Sequence, residues 1–64
     1  SHYATLTPKE RAFLIQRDIQ RNLNRIQVLQ RARRNEQNPQ YEEITKYHKD
    51  QNKQLYNQLK DVVY

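Results

Sequence analysis

The stretch Asn35-Glu36-Gln37-Asn38-Pro39 separates two uninterrupted helical patterns, and a break this short folds consecutive helices back on each other as antiparallel neighbours. The chain on either side must therefore offer two apolar stripes that meet. The first pattern starts at Thr7-Pro8-Lys9-Glu10. There the Thr hydroxyl can accept from the N3 amide, proline suits N1, and Glu can reach back to close a capping box. Ala12, Ile15, Ile19, Ile26 and Leu29 then step by three, four, seven and three, a heptad seam whose vacancy is filled by Asn22. Leu23 flanks that seam. The second pattern opens with Asn38 as cap, Pro39 at N1, and Glu42 and Glu43 near the positive end of the helix dipole. Tyr41, Ile44, His48, Gln51, Leu55, Leu59 and Val62 form its stripe.

The expected fold is all-α: a two-helix antiparallel hairpin, coiled-coil-like, with a tail at 1–6, helices at 8–34 and 39–63, and a turn at 35–38. Tyr3 and Leu6 are expected to pack onto the first helix. With the turn centred on 36–37, facing residues have numbers summing to about 73. That pairs Ala32 with Tyr41, Leu29 with Ile44, Ile26 with His48 or Tyr47, and Asn22 with Gln51 or Asn52. Ile19 with Leu55, Ile15 with Leu59 and Ala12 with Val62 complete the layers. The polar position of one helix thus meets the polar stretch of the other. Such a layer costs stability but fixes register; the alternative is a shallow seam with Asn22 wet.

Composition limits what the hairpin can do. The chain has 64 residues, 34% of them apolar, and a chain so short buries only about 60% of its unfolded surface, so the core must be thin. Association with a partner or a second copy would help. There is no cysteine, which excludes disulfides and thiolate chemistry. There is no glycine either, which tells against phosphate-cradling loops. No apolar run approaches a membrane span and nothing reads as a signal peptide, so no membrane insertion is expected and the expected compartment is intracellular, the cytoplasm. Ser1-His2 matches the scar of a cleaved tag, which would make this an excised piece of a longer protein.

Chemistry-bearing residues are few. His2 falls in the tail and His48 on the seam, where a lone histidine is more often a hydrogen-bonded core residue than a ligand; no metal partner stands at i+3 or i+4 on its face. Glu42 and Glu43 are adjacent and point about 100° apart on a helix. No nucleophile and base can be assembled, so neither enzymatic activity nor a cofactor or metal is expected. The formal charge is +5. Arg17, Arg21 and Arg25 form an i,i+4 stripe, and Arg31, Arg33 and Arg34 follow in the last turns, where cations suit the dipole. This basic surface supports nucleic-acid binding as an alternative function, in the manner of small two-helix ribosomal proteins, although acids are interspersed.

The apolar residues left off the seam point to a protein partner. Phe13, Tyr56 and Val63 are expected to share one exposed patch at the open end, extended by Leu59 and Leu23, through which two hairpins would dimerise into a four-helix bundle. A fold of Tyr3 and Leu6 over Phe13 is the structural alternative. On the other side, Leu29 and Tyr47 are expected to flank Ile26 and Ile44 near the hinge. Ile26, Leu29 and Ala32, followed after the turn by Tyr41 and Ile44, resemble the Rab-binding helical hairpin of rabenosyn-type effectors across roughly residues 19–59. Asn38-Pro39 stands where that family has a glycine, and His48 where it has an aliphatic residue. The resemblance implies a small GTPase as partner, a role in vesicle trafficking, and contact through the Ile26–Ile44 side. Asn38-Pro39-Gln40-Tyr41 is also similar to the Asp-Pro-Arg-Tyr of FF domains, but the chain has no tryptophan and an uninterrupted first helix.

Overall fold

In the computed structural model, which describes residues 5–63, the chain is a helical hairpin: α1 spans Pro8–Asn35 and α2 spans Pro39–Lys60. Ser1, His2, Tyr3, Ala4 and Tyr64 lie outside the described residues, and with them the packing expected of Tyr3. The hairpin measures 43 × 18 × 14 Å, two helices side by side.

Both helix starts follow from local chemistry. Thr7 Oγ1 accepts from the Glu10 amide at 3.2 Å, and the Glu10 carboxylate accepts from the Thr7 amide at 3.1 Å and from its hydroxyl at 2.8 Å. Both orphan donors of the capping box are therefore satisfied. These bonds hold the Glu10 carboxyl below its usual pKa, the Thr7 side chain contributing most. At α2 the Asn38 side chain accepts from the Gln40 amide at 3.0 Å, with Pro39 in the first turn.

The turn between them has an extended backbone. Glu36 lies at φ −145°, ψ 119° and Asn38 at φ −128°, ψ 120°. No described residue has a positive φ. A connection that never enters the left-handed region has no need of glycine, which accounts for Asn38-Pro39 at this position. Two cross-turn contacts close it: Arg33 to Glu42 at 2.8 Å and the Tyr41 hydroxyl donating to Glu36 at 3.3 Å. The nearby Glu36 charge, then partial burial and this bond, raise the Tyr41 pKa above its ordinary 10.0.

The α1 seam is the expected one. Ala12, Ile15, Ile19, Asn22 and Ile26 are buried, and Leu29 is half-buried. Asn22 is not wet: it is 7% exposed, and its Nδ2 donates to Asn52 Oδ1 at 2.8 Å. Asn52 Nδ2 in turn reaches the Ile19 carbonyl at 3.4 Å. This sets the register with Asn22 opposite Asn52, not Gln51.

The α2 seam differs from expectation at two of its seven positions. His48 and Asn52 are buried, and Tyr41, Thr45, Leu55, Leu59 and Val62 are half-buried. Thr45 and Asn52 occupy the places expected for Ile44 and Gln51, and Ile44 is 41% exposed. Tyr41, Thr45, His48, Asn52, Leu55, Leu59 and Val62 alternate steps of four and three, the unbroken heptad form. The physical reason is polar. Pairing Asn52 with Asn22 turns α2 about its axis, and Thr45 tolerates the inward position because its hydroxyl donates to the Tyr41 carbonyl at 2.7 Å.

A second correction concerns the end of α2. It stops at Lys60 rather than 63. The Asp61 amide donates to the Gln58 carbonyl at 3.1 Å and the Val62 amide to Leu59 at 3.2 Å. These three-residue bonds tighten the last turn and end it. The β-branched pair Val62-Val63 continues the hydrophobic pattern but favours helix weakly.

Candidate functional site

With Thr45 in the seam, α2 turns Ile44 outward beside α1. Near the hinge, Asn24, Arg25, Val28, Leu29, Ile44 and His48 line one shallow hollow whose surface is largely apolar. Val28 is 63% exposed and Ile44 stands beside it. His48 is buried at the base of this hollow, and its Nδ1 has no hydrogen-bond partner, contrary to the expectation of a satisfied core histidine. Tyr47 packs edge-on against the His48 ring, with centroids 5.5 Å apart and planes inclined at 64°. Its hydroxyl accepts from Gln51 at 2.8 Å, which orients the exposed ring.

Leu29 and Ile44 line this hollow together, whereas Tyr47 is exposed outside its lining and meets it only through the His48 ring, and Ile26 is removed. That residue is 6% exposed and belongs to the seam. Its place on the surface is taken by Val28, which was not singled out from the sequence. The available signal was an aliphatic residue off the seam, on a wheel face otherwise polar and charged.

The open-end patch is not brought together as expected. Phe13 is exposed, but the hollow it lines is formed with Leu6, Thr7, Lys9, Glu10 and Leu14 of its own segment. Tyr56 and Leu23 line a different hollow with Ile26, Lys49, Asn52, Lys53, Asn57 and Lys60. Val63 lies beyond the end of α2 and is exposed; Leu59 is half-buried in the seam. Phe13 and Tyr56 share no hollow: with Asn22 opposite Asn52, Tyr56 lies level with Asp18, more than a turn from Phe13.

Arg17, Arg21, Arg25, Arg31 and Arg34 are all exposed. Arg21 and Arg25 line a polar groove with Asn22, Gln51, Gln54 and Gln58, and the Asp18 carboxylate lines it too, so the arginine surface is not purely cationic. Among the described residues, no three His, Cys, Asp or Glu side chains are grouped as metal ligands would be. No described helix is long and apolar enough to cross a membrane. Comparison with protein-family models, curated proteins and solved structures found no match to this chain.

Proposed function

We propose that the chain is a non-enzymatic protein-interaction module whose contact surface is the hinge-proximal face carrying Val28, Leu29, Ile44 and Tyr47. One observation carries this reading: the seam is completed by Thr45 and Asn52, so that Ile44 is left 41% exposed beside an exposed Val28. With Thr45 and Asn52 in the inward positions, part of the aliphatic surface available at that level is left facing water. Exposed apolar patches of this kind, ringed by polar residues, mark contact sites. Tyr47 and Arg25 on the same face supply residue types enriched in binding hot spots.

The partner class suggested by the resemblance to rabenosyn-type hairpins is a small GTPase of the Rab type, with a cytoplasmic role in vesicle trafficking. Isothermal titration of the hairpin against Rab-type GTPases loaded with GTP or GDP tests it. Val28→Asp and Ile44→Asp should each abolish binding of the GTP form while leaving helical circular dichroism intact. A folded hairpin that binds neither nucleotide state overturns the GTPase assignment. The exposed arginines support a second reading, nucleic-acid binding. A steep fall of affinity with salt, from counterion release, would favour it. Dimerisation through Phe13 would leave a Phe13→Ala variant monomeric by light scattering where the parent chain is dimeric.

A further inference from the structure

The face opposite the hinge-proximal hollow carries a different chemistry. Its groove between the helices is lined by Leu23, Ile26, Tyr56 and Asn52, with Lys49, Lys53 and Lys60 along the α2 side and no carboxylate among its lining residues. Most of the surface it offers is apolar. Tyr56 is 47% exposed and Leu23 38%. The lysines are not scattered: Lys46, Lys49, Lys53, Tyr56 and Lys60 recur at steps of three, four, three and four, which is one stripe along α2. All four lysines are exposed. Like charges at this spacing repel slightly; Asp50, four after Lys46 and three before Lys53, offsets part of this, and a line of carboxylates on the stripe would offset more.

We propose that this groove docks an acidic amphipathic helix from a partner protein, completing a three-helix arrangement. The helix would lay an apolar ridge over Leu23 and Tyr56 and set Asp or Glu side chains along the α2 lysines. The shape of the charge decides between occupants. Leu23 and Tyr56 form a short strip over the buried Ile26, whereas bilayer insertion needs a continuous apolar helix face projecting outward. The cations line one wall only, whereas a nucleic-acid strand needs phosphate contacts along its track and has little use for the Leu23–Ile26 floor. A second copy of this chain offers only a sparse acidic line, Glu43, Asp50 and Asp61 at steps of seven and eleven, against lysines at steps of three, four and seven; Glu42 already pairs with Arg33, and Asp18 lines the opposite polar groove. The inference rests on reading the chain as an interaction module, but it concerns the other face, so the two can fail separately.

The probe is a fluorescein-labelled synthetic helix of about 21 residues, roughly 32 Å and so close to the length of α2, with leucines in a heptad stripe and glutamates flanking it. One control carries lysine in place of glutamate, and another keeps the glutamates but replaces the leucines with serine. By fluorescence anisotropy the Glu–Leu peptide should bind at least about tenfold more tightly than either control. The double variant Lys49→Glu/Lys53→Glu should reverse the preference towards the lysine peptide. Leu23→Ser and Tyr56→Ser should each weaken binding, whereas Val28→Asp and Ile44→Asp should not. Equal binding of the acidic and basic peptides overturns the proposal, as does indifference to the lysine reversal. Concentration-dependent dimerisation that Tyr56→Ser abolishes would assign the groove to a second copy instead. Displacement of the peptide by a single-stranded oligonucleotide or by anionic vesicles, blocked by the lysine reversal but not by Leu23→Ser, would overturn it in favour of a polyanion.

Discussion

The Asn22–Asn52 layer lends itself to a double-mutant cycle because its two ends are unequal. Asn22 Nδ2 has one buried partner, Asn52 Oδ1 at 2.8 Å, while Asn52 also reaches the Ile19 carbonyl at 3.4 Å. Asn22→Leu leaves Asn52 with that second contact and an orphaned oxygen. Asn52→Leu strips Asn22 of its partner and also frees the Ile19 carbonyl of a bond. A buried polar group left unsatisfied costs about 1–3 kcal/mol, whereas replacing both partners with apolar groups is nearly neutral. Asn22→Leu should then cost about 1 kcal/mol and Asn52→Leu about 2, with the double variant within about 1 kcal/mol of the parent. The coupling energy would be about 2–3 kcal/mol, near the upper end for contacting pairs. For a chain this size, with a total stability of order 3–10 kcal/mol, the single changes are large. Urea denaturation followed by circular dichroism at 222 nm, fitted for all four chains, measures the cycle. Additive effects would refute the reasoning, because they would mean the two amides do not depend on each other.

Other outcomes follow from the same geometry. His48→Leu should stabilise the hairpin by about 1 kcal/mol, raising Tm by about 4–8 °C, since it removes a buried Nδ1 with no partner; a fall in Tm would show that the nitrogen is satisfied. Ile19→Asp should unfold the chain, as an unpaired charge at a buried seam position outweighs its small stability, and full helicity at 222 nm would contradict the seam. The depressed Glu10 carboxyl makes acid sensitivity directional. Its contribution is present above the ordinary carboxyl value of 4.5 and is lost as pH falls through the lower folded value. Glu10→Gln should remove that part of the slope of Tm against pH, and an unchanged slope would place the acid sensitivity elsewhere.

Much of this fold was legible because its signals are local. Thr7, Glu10, Asn38 and Pro39 announce helix starts through chemistry that needs no tertiary context. The α1 seam reads directly because five aliphatic or small residues hold it and its vacancy is filled by a residue able to pair. The α2 seam was only partly legible. Hydrophobicity favours Ile44 over Thr45 at the first inward position and does not discriminate Gln51 from Asn52. What decides is which amide reaches Asn22, a property of two helices together. The same rotation exposes Ile44, so the composition of the exposed hinge-proximal face depended on a hydrogen bond that no single-helix pattern contains. Phe13 was misgrouped for a different reason: the register expected from the turn already set Tyr56 opposite Arg17, about a turn from Phe13, so the grouping rested on shared side rather than shared height.

The polar seam also connects stability to binding. The buried apolar residues among those described are Ala12, Ile15, Ile19 and Ile26, a small core, while Leu23, Val28, Ile44, Tyr47 and Tyr56 remain exposed. A hairpin with Leu at 22 and 52 would lose the bond that holds α2 in its present rotation. Ile44 would then be free to turn into the seam, where its burial is favourable, and the hinge-proximal face would lose its aliphatic centre. The Asn pair therefore stabilises one rotation at the expense of total apolar burial, and that rotation is the one that presents Ile44. On the proposed function, a partner covering the face would supply the burial the seam forgoes. Ligand binding at 100 times Kd adds about 2.7 kcal/mol, comparable with the lower bound of about 3 kcal/mol for a free chain of this length. At that lower bound, a bound hairpin would have roughly twice the margin of a free one.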